Sequence, residues 1–161
     1  MTDVAALTER LRRVLDANRY AVLGTTQPDG TPRVSPVYCT HADYLRFYWV
    51  SSPAAQHSLN LAARPPVELV VFDSSVPPPQ TEAVYVGGSA QQVPDDELAA
   101  ECERAFAHLS GGARPFAPEE LSGDATLRLY RATATTRELH IRGSDPTYGT
   151  GIDRRLAVPT P

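Results

Sequence analysis

Three serines, a histidine and an asparagine follow one another closely in the stretch LRFYWVSSPAAQHSLNLAARPPVELVVFD, residues 45–73. Ser51 and Ser52 close an aromatic strand, and His57, Ser58 and Asn60 fall in the short helix expected next. Serine hydroxyls and the free N–H groups of a helix start can both donate to an anion, and the helix dipole favours negative charge there. His57 adds a positive charge when protonated, which a neighbouring phosphate promotes. Asn60 lies one turn on and shares the His57 face. Arg33, on an expected edge strand, can grip a phosphate through its fork of donors. Each residue also has a plain structural reading. Ser51 or Ser52 can simply cap the helix, with Pro53 in its first turn. His57 can lie on the surface, Arg33 can be solvated, and Trp49 and Tyr48 can both be packing residues rather than one of them facing a ligand ring.

The composition narrows the chemistry. All 15 basic residues are arginine, so a Schiff-base lysine, a lysine base and a P-loop lysine are excluded together. Any phosphate must be held by arginine, histidine, hydroxyls or backbone N–H groups. A net charge of −4 argues against a nucleic-acid or anionic-membrane partner, both of which need a basic face. Cys39 and Cys102 form neither a disulfide framework nor a metal motif, and His41, His108 and His140 have no partner at metal-ligand spacing. With no apolar run near the length of a membrane span and no signal core, a soluble cytoplasmic protein is expected.

The elements that must position these residues follow from periodicity. Residues 3–17 place Val4, Leu7, Leu11 and Val14 at helical spacing. Tyr20–Thr26 reads as a strand, Gln27-Pro28-Asp29-Gly30 as a hairpin turn, and 31–40 as a returning strand whose Pro32 and Pro36 require an edge or bulge. Residues 44–50 form a third strand, 54–63 a helix stopped by Arg64-Pro65-Pro66, and 67–72 a fourth strand. A proline-rich loop at 73–81 leads to a fifth strand, 82–93, with a bulge signal at Gly87-Gly88. A helix then carries Leu98, Cys102, Phe106 and Leu109, residues 118–121 add a helical turn, and 126–141 form the sixth strand. The expected architecture is mainly β with flanking helices: a six-stranded antiparallel split β-barrel. One domain, 1–142, includes the N-terminal helix 3–17, and 143–161 is a tail.

The segments YAVLGTTQPDGTPRVSPV, LRFYWVSSPAAQHSLNLAARPPVELVVFD and EAVYVGGSAQQV, in that order, resemble the pyridoxamine 5′-phosphate oxidase-like flavin-binding split barrels, which include flavin- and deazaflavin-dependent reductases. The resemblance implies a homodimer with two sites at the subunit interface, binding FMN and passing hydride to or from a small-molecule substrate. It implies that Arg33, Ser35, Pro36 and Val37 flank the flavin. Trp49, Val50, Ser51 and Ser52 would contact its ring, ribityl chain or phosphate, and His57 and Ser58 would close on the phosphate. His57 falls where such proteins often carry lysine or arginine. The deazaflavin coenzyme F-420 is the alternative cofactor, with Arg33, Arg46 and Arg64 available for its acidic tail. A non-catalytic flavin or haem carrier, with His57 or His41 as haem ligand, is the alternative outside enzymes.

Overall fold

Alternating apolar residues drive the sheet of this computed structural model, which describes residues 3–160. Helix α1 (Val4–Ala17) begins at Asp3, whose carboxylate accepts from the Ala6 N–H at 3.1 Å. It buries Leu7, Leu11, Val14 and Leu15, while Val4 stays exposed, so the stripe lies one residue round from that expected. Burying each of these leucines contributes about 1.5–3 kcal/mol.

Eight strands follow: β1 (Tyr20–Thr26), β2 (Pro32–Tyr38), β3 (Thr40–Ala42), β4 (Arg46–Ser51), β5 (Pro66–Phe72), β6 (Ala83–Gln92), β7 (Arg128–Ile141) and β8 (Arg154–Ala157). All pairings are antiparallel, in the order β2-β1-β5-β6-β7-β4-β3, with β8 added to β7. The two ends of this order, β2 and β3, are consecutive in the chain and separated only by Cys39. The sheet must therefore curl until its edges meet. Cys39 N–H donates to Arg19 O at 2.8 Å at that crossing. The fold is mainly β, a curled antiparallel sheet with helices α1, α2 (Gln56–Ala63) and α3 (Leu98–Ala105) around it.

The expected six strands are thus corrected to eight. The stretch 31–40 divides at Cys39, and Thr40–Ala42 turns back on β4 through Asp43 and Tyr44, both with positive φ (57° and 55°). Neither is a residue that announces such a turn as Gly does. The segment 143–161 supplies β8, which pairs Leu139 with Leu156, and it also buries Val158 in the core. Arg137, itself buried, donates to the Tyr44 carbonyl at 3.3 Å and to the Pro159 carbonyl, tying that segment down.

Other expectations hold. Gly30 closes the β1–β2 hairpin at φ 86°, and the proline-bearing β2 is an edge strand. The β6–β7 register shifts between Gly87 and Gly88, where a Cβ on Gly88 would collide with the Thr133 carbonyl. Residues 118–121 form a 3-10 turn. One expectation is corrected: the helix over Leu98 ends at Ala105, so Phe106 and Leu109 lie beyond it.

Strand β4 serves two cores. Phe47 and Trp49 face the main one, where the Trp49 ring stacks on Tyr130 at 5.9 Å between centroids. Tyr48 faces a second core beneath α3, with Leu98, Cys102 and Leu129. Its hydroxyl donates to Glu101 at 2.5 Å. Glu101 is 3% exposed and also takes Arg104 at 2.5 Å and Arg131 at 3.3 Å. Burial works to raise the Glu101 carboxyl, but the bonds from Tyr48 and Arg131 outweigh it and hold the group below its usual range. Burial and the Glu101 contact push the Tyr48 phenol well up.

Candidate functional site

At its far end β4 delivers Ser51 to the other side of the strand. Ser51 Oγ and His57 Nε2 are hydrogen-bonded at 2.8 Å. Helix α2 does not start at the serines. Residues 52–55 form a turn in which Ser52 Oγ accepts from Ala54 N–H at 3.2 Å, and Ala55 occupies the cap with no side-chain bond. Pro53 therefore shapes the turn rather than the helix, and the Ser51 hydroxyl is left for His57.

The helix is seated by polar contacts on its inner face. Asn60, 2% exposed, donates from Nδ2 to Thr25 Oγ1 on β1 at 3.0 Å and accepts from Gln56 Nε2 at 2.9 Å. Ser58 is equally buried, and its hydroxyl has no partner within the described residues. Thr25 is paired in register with Arg33 on β2, so Asn60 bonds to the strand position directly beside Arg33. Asn60 is a positioning group that sets α2, and with it His57, against the β1–β2 hairpin.

The electrostatics of the cluster are one-sided. Burial, and then the charge of Arg33, lower the His57 pKa. Neither Arg33 nor His57 is ion-paired with an acid among the described residues. Arg33 donates to Gln27 Oε1 at 3.5 Å. Arg33 thus lies near enough to His57 for its charge to act on the imidazole, and neither has a carboxylate partner among the described residues. An anion would relieve the repulsion and return the proton to His57.

The expected site residues divide accordingly. Arg33, Ser51 and His57 come together, with Ser52 adjacent in the turn. Pro36 is exposed and Ser35 half-buried on edge strand β2. Val37 and Trp49 turn their side chains into the main core, and Val50 packs partly against the second core. Thr25 and Gln56 join the cluster unforeseen. Gln56 is one turn before Asn60 on the helix face, a spacing visible in the sequence, whereas the approach of Thr25 depends on the sheet register.

The structure is thus a curled antiparallel sheet with Arg33, Ser51 and His57 gathered beside an edge strand. The chain belongs to the pyridoxamine 5′-phosphate oxidase family, whose model matches residues 7–140. No curated protein matches the sequence. Among solved structures it is similar to a haem-binding protein from Mycobacterium smegmatis, at 18% identity and TM-score 0.68. That match covers 98% of this chain and 59% of the other. It is also similar to an FAD-binding protein from Mesorhizobium loti, at 23% identity and TM-score 0.61 over 81% and 91% of the two chains. An F420 reductase matches at 23% identity and TM-score 0.56 over 78% and 94%. At these identities the likeness is one of fold. No described helix is long and apolar enough to cross a membrane.

Proposed function

We propose that the protein binds FMN, with the flavin phosphate held by Arg33, Ser51, Ser52 and His57, and acts as an oxidoreductase on a small substrate. The observation that carries this reading is the pairing of Arg33 with His57 in the absence of any acidic partner among the described residues. The donor set suits a phosphate: one guanidinium fork, one imidazole and two hydroxyls. Bound flavin would supply the hydride chemistry, and the chain supplies binding, orientation and charge. His57 holds a proton on its imidazole against the phosphate, Ser51 fixes the ring through Nε2, and Asn60 fixes the helix that carries it. Family membership supports a flavin as the phosphate's owner, and a homodimer whose second subunit completes the site is part of the same proposal.

FMN stands ahead of the deazaflavin F-420. The acidic tail of the latter calls for several free arginines. Arg46 is held by Asp43 at 2.7 Å, and Arg64 donates to the Pro28 carbonyl at 3.3 Å. The alternative outside enzymes is haem; its candidate ligands His57 and His41 are bonded through Nε2 to Ser51 and Asp16.

The test is a titration of the purified chain with FMN and, alongside, with F-420, followed by flavin fluorescence. A saturable change with FMN, at lower concentration than with F-420, is expected. Unchanged FMN fluorescence overturns the reading.

A further inference from the structure

Residues 106–116, between α3 and the 3-10 turn, cross back over the outer face of β4 and roof two adjoining hollows. One, of about 360 Å³, is walled by apolar and aromatic groups, chiefly Tyr48, Val50, Phe106, Leu109, Phe116 and Leu127. That volume falls within the range of roughly 300–1,000 Å³ typical of ligand pockets. Three of its polar groups are already occupied, while the Trp49 indole N–H has no partner among the described residues. The Tyr48 hydroxyl is taken by Glu101 and the Tyr38 hydroxyl donates to Ser110 O at 3.1 Å, while Arg114 at the mouth forms a fork with Glu120.

The second hollow, of about 780 Å³, begins across Tyr38 and Thr40, which border both. It is charged, and its acids are neutralised. Asp16 takes His41 at 3.1 Å and the Tyr44 hydroxyl at 3.0 Å, and Asp43 takes Arg46. Arg19 and His108, in the same wall, have no acidic partner among the described residues. Arg19 lies flat against the roof at Gly111, where φ is 66° and a Cβ would meet the guanidinium at 2.5 Å. Glycine adopts this left-handed turn without strain and leaves room for the guanidinium.

We propose that the two hollows form one binding site for an aromatic monocarboxylate, its ring under residues 106–116 and its carboxylate at Arg19 and His108. The aromatic walls select the ring, and Arg19, which has no acidic partner among the described residues, selects the charge. The site is separate from the Arg33–His57 cluster, because Tyr48 and Val50 point to one side of β4 and the Ser51 hydroxyl to the other. It therefore stands or falls independently of the flavin reading.

Calorimetric titration of the full-length protein with 2-naphthoate and with 2-naphthylmethanol, the same ring without the charge, tests this. The expected result is saturable naphthoate binding at least ten-fold tighter than that of the alcohol. Arg19→Gln should bring the acid down to the affinity of the alcohol, and Leu127→Trp should weaken both at least ten-fold with the circular dichroism unchanged. Equal affinity for the two probes, binding of neither, or an Arg19→Gln protein that still prefers the acid overturns the proposal. So does competitive displacement of naphthoate by FMN. Should Leu127→Trp not fold, the Arg19→Gln comparison decides alone.

Discussion

The two sides of β4 carry opposite kinds of polar chemistry. Beneath α3, Tyr48 meets a carboxylate that is almost wholly buried and fully satisfied: Glu101 has a phenol and two arginines on its two oxygens. On the other side, Ser51 meets His57, which shares its surroundings with Arg33 and has no acid to balance it among the described residues. The first arrangement is closed, and any further ligand would have to break a bond to enter. The second is open, and a ligand of the right charge would lower its energy. Polar groups that are satisfied describe architecture, and polar groups left in electrostatic debt describe a site.

The sharpest way to break that contrast is to remove Glu101. Glu101→Ala takes the acceptor from the Tyr48 hydroxyl and one of two carboxylates from Arg131, 15% exposed at its side chain, which keeps Glu97 at 2.7 Å. Breaking a buried ion pair from one side costs about 3–5 kcal/mol, and the exposure of Arg104 places this one near about 3. Urea denaturation should show that loss, with FMN affinity unchanged for the protein still folded. A loss of less than about 1 kcal/mol would mean that the network does not hold α3.

Substitution on the open side should do the reverse. His57→Ala and Arg33→Gln should each weaken FMN binding about ten- to a hundred-fold, as loss of one charge-assisted bond of about 1.5–3 kcal/mol requires, while the urea midpoint stays nearly fixed. Parallel losses of affinity and stability would place these residues with the architecture instead.

The His57 titration sharpens the contrast further. Its folded pKa lies below the ordinary imidazole value of about 6.5, so the unfolded chain binds more protons in the window between the two values. Stability should fall as pH drops through about 6.5 and level off below the folded value. Proton NMR of the ring should show the pKa rising in Arg33→Gln and rising again on addition of FMN. A pKa that Arg33→Gln leaves in place would remove the electrostatic link.

The smallest effect concerns Ser58. Its hydroxyl is buried without a partner, so Ser58→Ala should leave stability unchanged or raise it by up to about 1 kcal/mol in thermal unfolding. A loss of 1 kcal/mol or more would reveal a bond for that hydroxyl.

Much of this fold could be read from the chain. Period-two alternation and the Asp29-Gly30 turn marked β1 and β2, prolines marked the edge, and Gly87-Gly88 marked the bulge, because each is a local steric signal. Strands β3 and β8 escaped for the same reason in reverse. Three residues are too few to show a period, and the Asp43–Tyr44 turn adopts positive φ without glycine. Strand β8 is polar along its exposed length, with Arg154 and Arg155, and belongs to the sheet only because β7 offers an edge. Of the site, Arg33, Ser51 and His57 were legible by residue type. The side-chain directions of Val37 and Trp49, and the Thr25–Asn60 bond, depend on register across strands distant in sequence. A helix start at the serines was the natural reading of Ser-Ser-Pro, yet Pro53 is spent on the turn before the helix.

The pairing of β4 with β7 also orders events in time. Phe47, Tyr48 and Trp49 leave the ribosome early, with β3 their sole neighbour in the sheet, and Val50 cannot meet Leu129 until most of the chain has been made. For that interval the most aromatic strand of the protein presents an unpaired edge, the kind of surface that slow, non-local β topologies expose to aggregation. The residues that later separate a closed network from an open cluster are thus the ones a nascent chain must shield longest.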